Sequence, residues 1–177
     1  MKGVFNKGIQ DLVVLKLGHE TWQKIVEKAG CREPFFALGE NYPDDMTMAL
    51  YKSAVEISGM PEEQALMEFG KYLIASTGRK VYLTYYNLVG TSSREFLLNL
   101  ERMYRQLTHS MGPPLFSYEE PPDGRLVIHY QSKGGRCAVV KGLIQGVGNL
   151  FNQTLQVTEP ACKEKGDSHC TMEVTFP

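Results

Sequence analysis

The chain contains 177 residues, of which 42% are hydrophobic and 22% are charged. This composition is typical of one globular domain with its own core, and it excludes a disordered chain, a collagen and a coiled-coil rod. The 20 acidic and 19 basic residues give a net charge of -1, so no electrostatic signature indicates nucleic acid or an anionic membrane surface as a partner.

The N-terminal segment predicts an amphipathic helix through Ile9, Leu12 and Val13 rather than a signal peptide, because Asp11 and Lys16 interrupt its apolar residues. No apolar stretch of the sequence approaches the ~18 residues that a bilayer-crossing helix needs. We therefore expect a cytoplasmic chain with no membrane partner. In that compartment the four cysteines would be reduced, which favours metal binding or redox chemistry over a disulfide framework.

The rest of the sequence up to residue 110 also predicts helices. The second predicted helix ends at Gly30. Three more are predicted: one from 44 to 58, one that begins at Pro61, and one from 93 to about 110. A helical or mixed segment is predicted at 81–88. Proline and acidic residues suit a first turn, which favours a helix start at Pro61. Ser92 and Glu95 form a capping-box pattern at the start of the longest predicted helix.

The pattern changes after residue 110. Gly112, Pro113 and Pro114 end the last of these helices. Four strands are predicted, at 115–118, 126–132, 153–159 and 170–176, with a helix at 137–150 between the second and the third. Helices therefore come first and an antiparallel sheet with one helix comes second, which is an α+β arrangement.

Several short segments, in order along the chain, resemble those of one family. They are Met1-Lys2-Gly3, Ile9-Gln10-Asp11, Lys28-Ala29-Gly30, Phe69-Gly70-Lys71-Tyr72, Phe96-Leu97-Leu98-Asn99-Leu100, Pro113-Pro114-Leu115-Phe116 and Tyr130-Gln131-Ser132. Together they make nearly the whole chain similar to a heme-nitric oxide/oxygen-binding (H-NOX) domain, the sensor module also found in soluble guanylate cyclase. The resemblance implies a single domain, with a helical N-terminal lobe at 1–60 and a C-terminal lobe at 61–177 that carries a four-stranded antiparallel sheet.

The resemblance also implies a heme between the lobes, held by an axial histidine and by a Tyr-x-Ser-x-Arg motif that binds the propionates. Counted from the Asn-Leu pair, the axial position holds Tyr104 instead of histidine. Tyr130 and Ser132 match the motif, and alternate residues of a strand share a face. The arginine position holds Gly134, so Arg136, two residues later, and Lys133 are the candidates that replace the missing charge.

Two interpretations of Tyr104 stay open: a buried tyrosine whose hydroxyl has a partner, or a phenolate ligand, which favours ferric iron. His109 is an alternative axial ligand, or else a helix-end histidine that interacts with the helix dipole. Phe5, Pro114 and Val139 would line the heme pocket, and Val139 takes the place of the oxygen-stabilising tyrosine of some family members. A pocket without that donor favours NO and CO over O₂.

Three cysteines predict a metal site. Cys162 and Cys170 flank the hairpin of the last two strands, and such a turn brings its two shoulders together, while Cys137 opens the preceding helix. Some bacterial H-NOX proteins that resemble this chain bind zinc through equivalent cysteines and a histidine, whose place is taken here by Glu159. His169 is the other candidate for the fourth ligand, since zinc accepts either donor. The alternative is that the cysteines are three small buried hydrophobic residues.

The sequence favours a binding function over an enzymatic one, because it contains no Ser/His/Asp set, phosphate loop or paired-acid signature. The resemblance implies a heme sensor of NO or of redox state that signals to a separate effector protein, such as a histidine kinase or a nucleotide cyclase. The alternative is a heme-free relative that holds another apolar ligand or senses oxidants through zinc-bound thiolates, which are deprotonated and nucleophilic.

Overall fold

The computed structural model describes residues 1–32, 35–77, 90–108, 112–131 and 136–177. Its helices are α1 Gly3–Leu17, α2 His19–Lys28, α3 Asp44–Ser58, α4 Glu62–Tyr72, which continues as a π-helical turn Leu73–Thr77, α5 Ser93–Leu98, α6 Leu100–Thr108 and α7 Cys137–Leu150. Its strands are β1 Phe116–Glu119, β2 Leu126–Tyr130, β3 Gln156–Ala161 and β4 Cys170–Thr175. The α+β prediction is confirmed, while the segment predicted at 81–88 lies outside the described residues.

The ends of the helices follow local rules of capping. Gly59 adopts the left-handed conformation, with φ of 65°, and ends α3 where the sequence predicts. Ser92 caps α5 by accepting a hydrogen bond from the Glu95 N–H at 3.2 Å. The single helix predicted from 93 to about 110 is wrong, because Asn99 leaves the helical conformation and its side-chain amide donates to the Glu95 carbonyl at 2.9 Å.

The four strands form one antiparallel sheet in the order β1-β2-β4-β3. Tyr130 pairs with Cys170 across β2 and β4, and Leu126 pairs with Val174. The register between β3 and β4 shifts between Thr158 and Ala161. Pro160 lies inside this irregularity, and proline, which has no N–H to donate, is confined to such places in a sheet.

Two clusters of buried side chains form the core of the described residues. The cluster that we call the C-terminal core lies between the sheet, α5, α6 and α7, and includes Phe96, Leu97, Leu100, Phe116, Ile128, Tyr130, Ile144 and Val174. The cluster that we call the N-terminal core includes Ile9, Val13, Trp22, Ile25, Phe36, Leu50, Tyr51, Leu66 and Ala138. Because Leu66 lies on α4 and Ala138 on α7, these two helices join the N-terminal core to the C-terminal core.

Helices α4 and α7 cross at glycines. A Cβ atom added at Gly142 would overlap the Met67 backbone, and one added at Gly70 would overlap the Val139 carbonyl. The two helix backbones therefore approach closely, which fixes the start of α7 beside the start of α4. None of the helices in the described residues is long and apolar enough to cross a membrane.

Candidate functional site

Four potential metal ligands converge where the start of α7 meets the β3–β4 hairpin. The sulfur atoms of Cys137, Cys162 and Cys170 and a carboxylate oxygen of Glu159 all lie within 4.8 Å of one another. The cysteines are 1%, 3% and 1% exposed, respectively. We call these four residues the cysteine cluster. Three of them come from the β3–β4 hairpin, and the tertiary fold adds Cys137 from the start of α7.

The hairpin turn holds Cys162 in place through its backbone. The Asp167 carboxylate accepts a hydrogen bond from the Cys162 N–H at 2.7 Å, and the Asp167 N–H donates to the Cys162 carbonyl at 3.2 Å. Gly166 allows the turn by adopting a left-handed φ of 105°. The Lys163 N–H points at the Cys170 sulfur at 3.4 Å, an arrangement that stabilises a thiolate.

Glu159 has one carboxylate oxygen without a hydrogen-bond partner. Its side chain is 5% exposed, and its Oε2 atom lies 2.7 Å from the ammonium of Lys141 and 3.8 Å from that of Lys165. Its Oε1 atom is buried and accepts no hydrogen bond. Burial of a carboxylate oxygen without a hydrogen-bond partner costs free energy of folding unless a cation binds to that oxygen. Three sulfur ligands and one carboxylate therefore fit a closed four-coordinate zinc site.

The sulfur atoms of Cys137 and Cys170 are joined as a disulfide, with their Cα atoms 6.7 Å apart, while Cys162 and Cys31 are free thiols. This differs from the prediction that all four cysteines are reduced. The prediction considered the compartment only, whereas the fold brings these two residues within the Cα separation of roughly 4.4–6.8 Å that a disulfide spans. The disulfide and the set of metal-binding thiolates are alternative states of the same residues.

The second candidate for the fourth metal ligand, His169, lies outside the cysteine cluster. Its ring packs against that of His129, with centroids 5.3 Å apart, and its Nδ1 atom lies 2.9 Å from the Ser168 hydroxyl. His129 in turn contacts Glu119 at 3.0 Å and Thr171 at 3.2 Å. Of the two candidates, the structure brings Glu159 to the three cysteines and places His169 with the other histidine.

A cavity of about 280 Å³ opens beside the cysteine cluster and is lined by charged side chains from α4, α7 and β3. Arg136 contacts Glu62 at 2.8 Å, and its guanidinium lies 5.6 Å from the centre of the Tyr51 ring. The candidate propionate ligand Arg136 is thus engaged with α3 and α4. Burial raises the pKa of Tyr51 to about 12, with Glu62 adding to the effect.

Lys141 interacts with two carboxylates at the rim of this cavity. Its ammonium lies 2.7 Å from Glu159 and 3.2 Å from Glu63 on α4, and its side chain is 16% exposed. Burial alone would lower the pKa of Lys141, but the bonds to Glu159 and Glu63 outweigh it and raise the pKa above its ordinary value. Sequence reasoning missed this residue, although a lone charged residue in the apolar helix α7 is a usable signal.

The residues assigned to a heme pocket lie mostly apart from the cysteine cluster. Tyr104, on α6, is half-buried against the C-terminal core. Tyr130 is 9% exposed, and its ring centre lies 5.3 Å from that of Phe116. Phe5 and Val139 are half-buried, Val139 against the N-terminal core, and Pro114 is exposed.

The described residues do not fit a histidine-ligated heme. Helix α6 contains no histidine, and Tyr104 holds the position expected of the axial ligand. His109, Ser132, Lys133 and Gly134 lie outside the described residues.

Sequence reasoning also missed Glu101, which joins α6 to β1. Its carboxylate accepts hydrogen bonds from the backbone N–H groups of Leu115 and Phe116, each at 2.9 Å, and from Arg105 at 2.6 Å. The Glu101 N–H donates to the Tyr118 hydroxyl at 3.0 Å. Burial raises the pKa of Tyr118 to about 12. Glu101 thereby fixes the helix that carries Tyr104 against the sheet.

Comparison with known proteins identifies the family. A family model described as Haem-NO-binding matches residues 2–159. Soluble guanylate cyclase gcy-35 of Caenorhabditis elegans is 27% identical over 99% of this chain and 27% of its own length. The rat guanylate cyclase soluble subunit beta-2 is 32% identical over 52% of this chain and 14% of its own length. This chain therefore spans about a quarter or less of these curated relatives.

Solved structures of H-NOX proteins share the fold. An H-NOX protein from S. oneidensis in the Fe(II)NO ligation state has a TM-score of 0.89 and 18% identity, covering 100% of this chain and 99% of that one. An oxygen-binding H-NOX domain related to soluble guanylate cyclases has a TM-score of 0.84 and 18% identity, covering 99% and 95%. Because the family model covers most of the sequence and the fold agrees over its whole length, this chain belongs to the haem-NO-binding, or H-NOX, family of sensor domains.

Proposed function

We propose that this chain is an H-NOX sensor domain that uses its cysteine cluster as a zinc site and signals to a separate effector protein in the cytoplasm. The observation that carries the proposal is the convergence of three sulfur atoms and one carboxylate oxygen within 4.8 Å. Membership of a sensor family supports the signalling role, and a histidine kinase or a nucleotide cyclase is the proposed effector.

In the reduced state, the chain's own residues would supply the binding site. Cys137, Cys162 and Cys170 bind a metal as thiolates, so they release protons as they bind it. Glu159 presents a carboxylate oxygen that nothing else occupies. When bound, zinc would supply a crosslink between the start of α7 and the β3–β4 hairpin, and its binding free energy would add to that of folding.

The direct test is the zinc content of protein that was purified under reducing conditions without a chelator. Elemental analysis should find one zinc per chain, and Cys162→Ala should lose it. The matched control is Cys31→Ala, because Cys31 is a free, half-buried cysteine outside the cluster. Absence of zinc from the wild type, or an equal zinc content in Cys162→Ala, would refute the site.

A second candidate function is redox sensing, which the pairing of Cys137 with Cys170 favours. A peroxide supplies the oxidant. One thiolate attacks the O–O bond to give a sulfenic acid and hydroxide. The other thiolate then attacks the sulfur of the sulfenic acid and displaces a second hydroxide as the S–S bond forms. Two electrons pass from the thiolates to the peroxide, and the cluster loses two of its ligands, so zinc would leave.

The redox function is tested by titrating the reduced, zinc-loaded protein with hydrogen peroxide. Zinc release, followed with a metal-binding dye, should accompany the loss of two free thiols per chain. Zinc release without loss of thiols, or loss of thiols without zinc release, would separate the two events and refute the coupling.

Heme is the family's cofactor and remains a candidate, with Tyr104 in the axial position. A tyrosine ligand predicts a ferric protein with a phenolate charge-transfer band in its visible spectrum. Tyr104→Phe should then lose heme, and Tyr104→His should favour ferrous heme. An unchanged Soret band in Tyr104→Phe would exclude Tyr104 as the ligand, and no Soret band in the wild type would favour the heme-free alternative. If heme does bind, NO is the proposed ligand.

A further inference from the structure

Lys141 is a charged residue in an otherwise apolar first half of α7, whose sequence from Cys137 is CAVVKGLIQG. Its ammonium reaches the Glu159 Oε2 atom at 2.7 Å, and its side chain is only 16% exposed. The neighbouring Lys165 is 3.8 Å from the same atom, but its side chain is 73% exposed. Solvent screens an exposed pair far more than a buried one, so Lys141 provides most of the charge compensation at Glu159.

Lys141 contacts one of the two carboxylate oxygens of Glu159 and leaves the other unoccupied. Lys141 occupies Oε2, while Oε1 is buried and accepts no hydrogen bond. A bond to one oxygen fixes the orientation of the carboxylate and leaves the other oxygen free for a cation. The Glu63 carboxylate also lies 3.2 Å from the Lys141 ammonium and adds a second contact from α4 that fixes the lysine.

The charges of the cysteine cluster also require a cation beyond the metal. Three thiolates and one carboxylate carry four negative charges, of which a divalent metal ion neutralises two. The remaining negative charge is buried and needs a nearby partner. The ammonium of Lys141 is the least exposed cation that contacts Glu159 in the described part of the chain.

We infer that Lys141 is a positioning residue for the metal site: it orients Glu159 through one oxygen and balances the excess negative charge of the three thiolates. This inference rests on the proposed zinc site. Lys141 lies four residues after Cys137 on α7, so the two side chains share one face of the helix. Loss of such an outer partner typically lowers metal affinity roughly 10- to 100-fold.

The test compares zinc dissociation constants, measured by competition with a chromogenic chelator, for Lys141→Met and Lys141→Arg. The methionine variant removes the charge at similar length and should bind zinc roughly 10- to 100-fold more weakly. The arginine variant keeps the charge and should stay within about threefold of the wild type. A matched control is Lys71→Met, which removes a lysine that pairs with Glu68 at 3.0 Å within α4.

A double variant separates positioning from general stability. If Lys141 acts in part through Glu159, then Lys141→Met should have a smaller effect on zinc affinity in a Glu159→Gln background than in the wild type. A wild-type affinity in Lys141→Met, an equal loss in Lys71→Met, or an undiminished effect in the Glu159→Gln background would each overturn the inference. If the wild type binds no zinc, the proposed function fails; if the wild type binds zinc and Lys141→Met binds it equally well, the inference alone fails.

Discussion

Tyr130 of β2 lies directly opposite Cys170 of β4 in the antiparallel register. Residues directly opposite each other on neighbouring strands share a face of the sheet. Both side chains are buried, at 9% and 1% exposure. Tyr130, which the resemblance makes a candidate cofactor ligand, is therefore the immediate cross-strand neighbour of one thiol of the cysteine cluster.

Removal of the metal should destabilise the reduced protein. A ligand that binds only the folded chain stabilises it by about 4 kcal/mol at a thousandfold excess over its Kd, which corresponds to a Tm change of roughly 10 °C for a chain of this size. We expect a chelator to lower Tm by that order in the wild type and in Cys31→Ala, as measured by circular dichroism. Cys162→Ala should not respond, and a chelator-independent Tm in the wild type would contradict the prediction.

Substitution of Gly142 should disturb the α4–α7 crossing. A Cβ atom at this position would overlap the Met67 backbone, which cannot move aside as a flexible side chain would. We expect Gly142→Ala to lower the free energy of unfolding by about 1–3 kcal/mol, the usual cost of overpacking. Gly39→Ala is the control, because nothing lies within 4 Å of its added Cβ. Urea unfolding measures the free energy of unfolding of both variants. Equal values would contradict the close approach of the α4 and α7 backbones.

Loss of the Asp167 carboxylate should loosen the turn that holds Cys162. Asp167→Ala removes the acceptor for the Cys162 N–H, a charge-assisted hydrogen bond of 2.7 Å, and we expect a loss of about 1–2 kcal/mol in unfolding free energy. Zinc affinity should fall as well, because the Cys162 backbone is no longer fixed. Ser168→Ala, one residue further along the same turn, should leave zinc affinity unchanged. Equal zinc affinities in the two variants would contradict this role of Asp167.

Stability should fall in alkaline solution through two tyrosines, the buried Tyr51 and the half-buried Tyr118. The pKa values of Tyr51 and Tyr118 are both raised to about 12, so the folded state favours the neutral phenol relative to the unfolded state. This stabilisation is fully present below pH ~10, where the unfolded phenol is still protonated, and it is lost as pH rises toward 12.

The free energy of unfolding, measured with urea between pH 9 and pH 11.5, should therefore fall less steeply in Tyr118→Phe and in Tyr51→Phe than in the wild type. The comparison between variants is needed because lysines lose their protons in the same range. An identical pH dependence in the wild type and in both variants would show that neither tyrosine is shifted.

The sequence predicts those features of the fold that depend on local chemistry. The bounds of α7 follow from the glycines before Cys137 and the apolar run after it, and the end of α3 follows from Gly59. The predicted helix at 93–110 is interrupted at Asn99, whose backbone leaves the helical conformation with φ of -98° and ψ of 5°. The third strand begins at Gln156, three residues later than predicted.

The candidate site could be predicted only in part. The three cysteines were identifiable from the hairpin and the resemblance, but the choice between Glu159 and His169 depends on the irregular register beside Pro160, which no spacing rule reveals. The contact of Lys141 with Glu63 joins residues 78 positions apart. Such pairs arise from the way α4 and α7 pack, so they appear only once the tertiary structure is known.

The glycine crossing of α4 and α7 has a mechanical consequence. Where side chains separate two helices, rotamer changes absorb small displacements. Where two helix backbones are in direct contact, no side chain lies between them to absorb a displacement. Cys137 begins one of these helices, and Leu66 on the other belongs to the N-terminal core. The two helices are therefore coupled rigidly at this crossing, and a displacement of the start of α7 at Cys137 acts directly on α4 and on the N-terminal core that Leu66 joins.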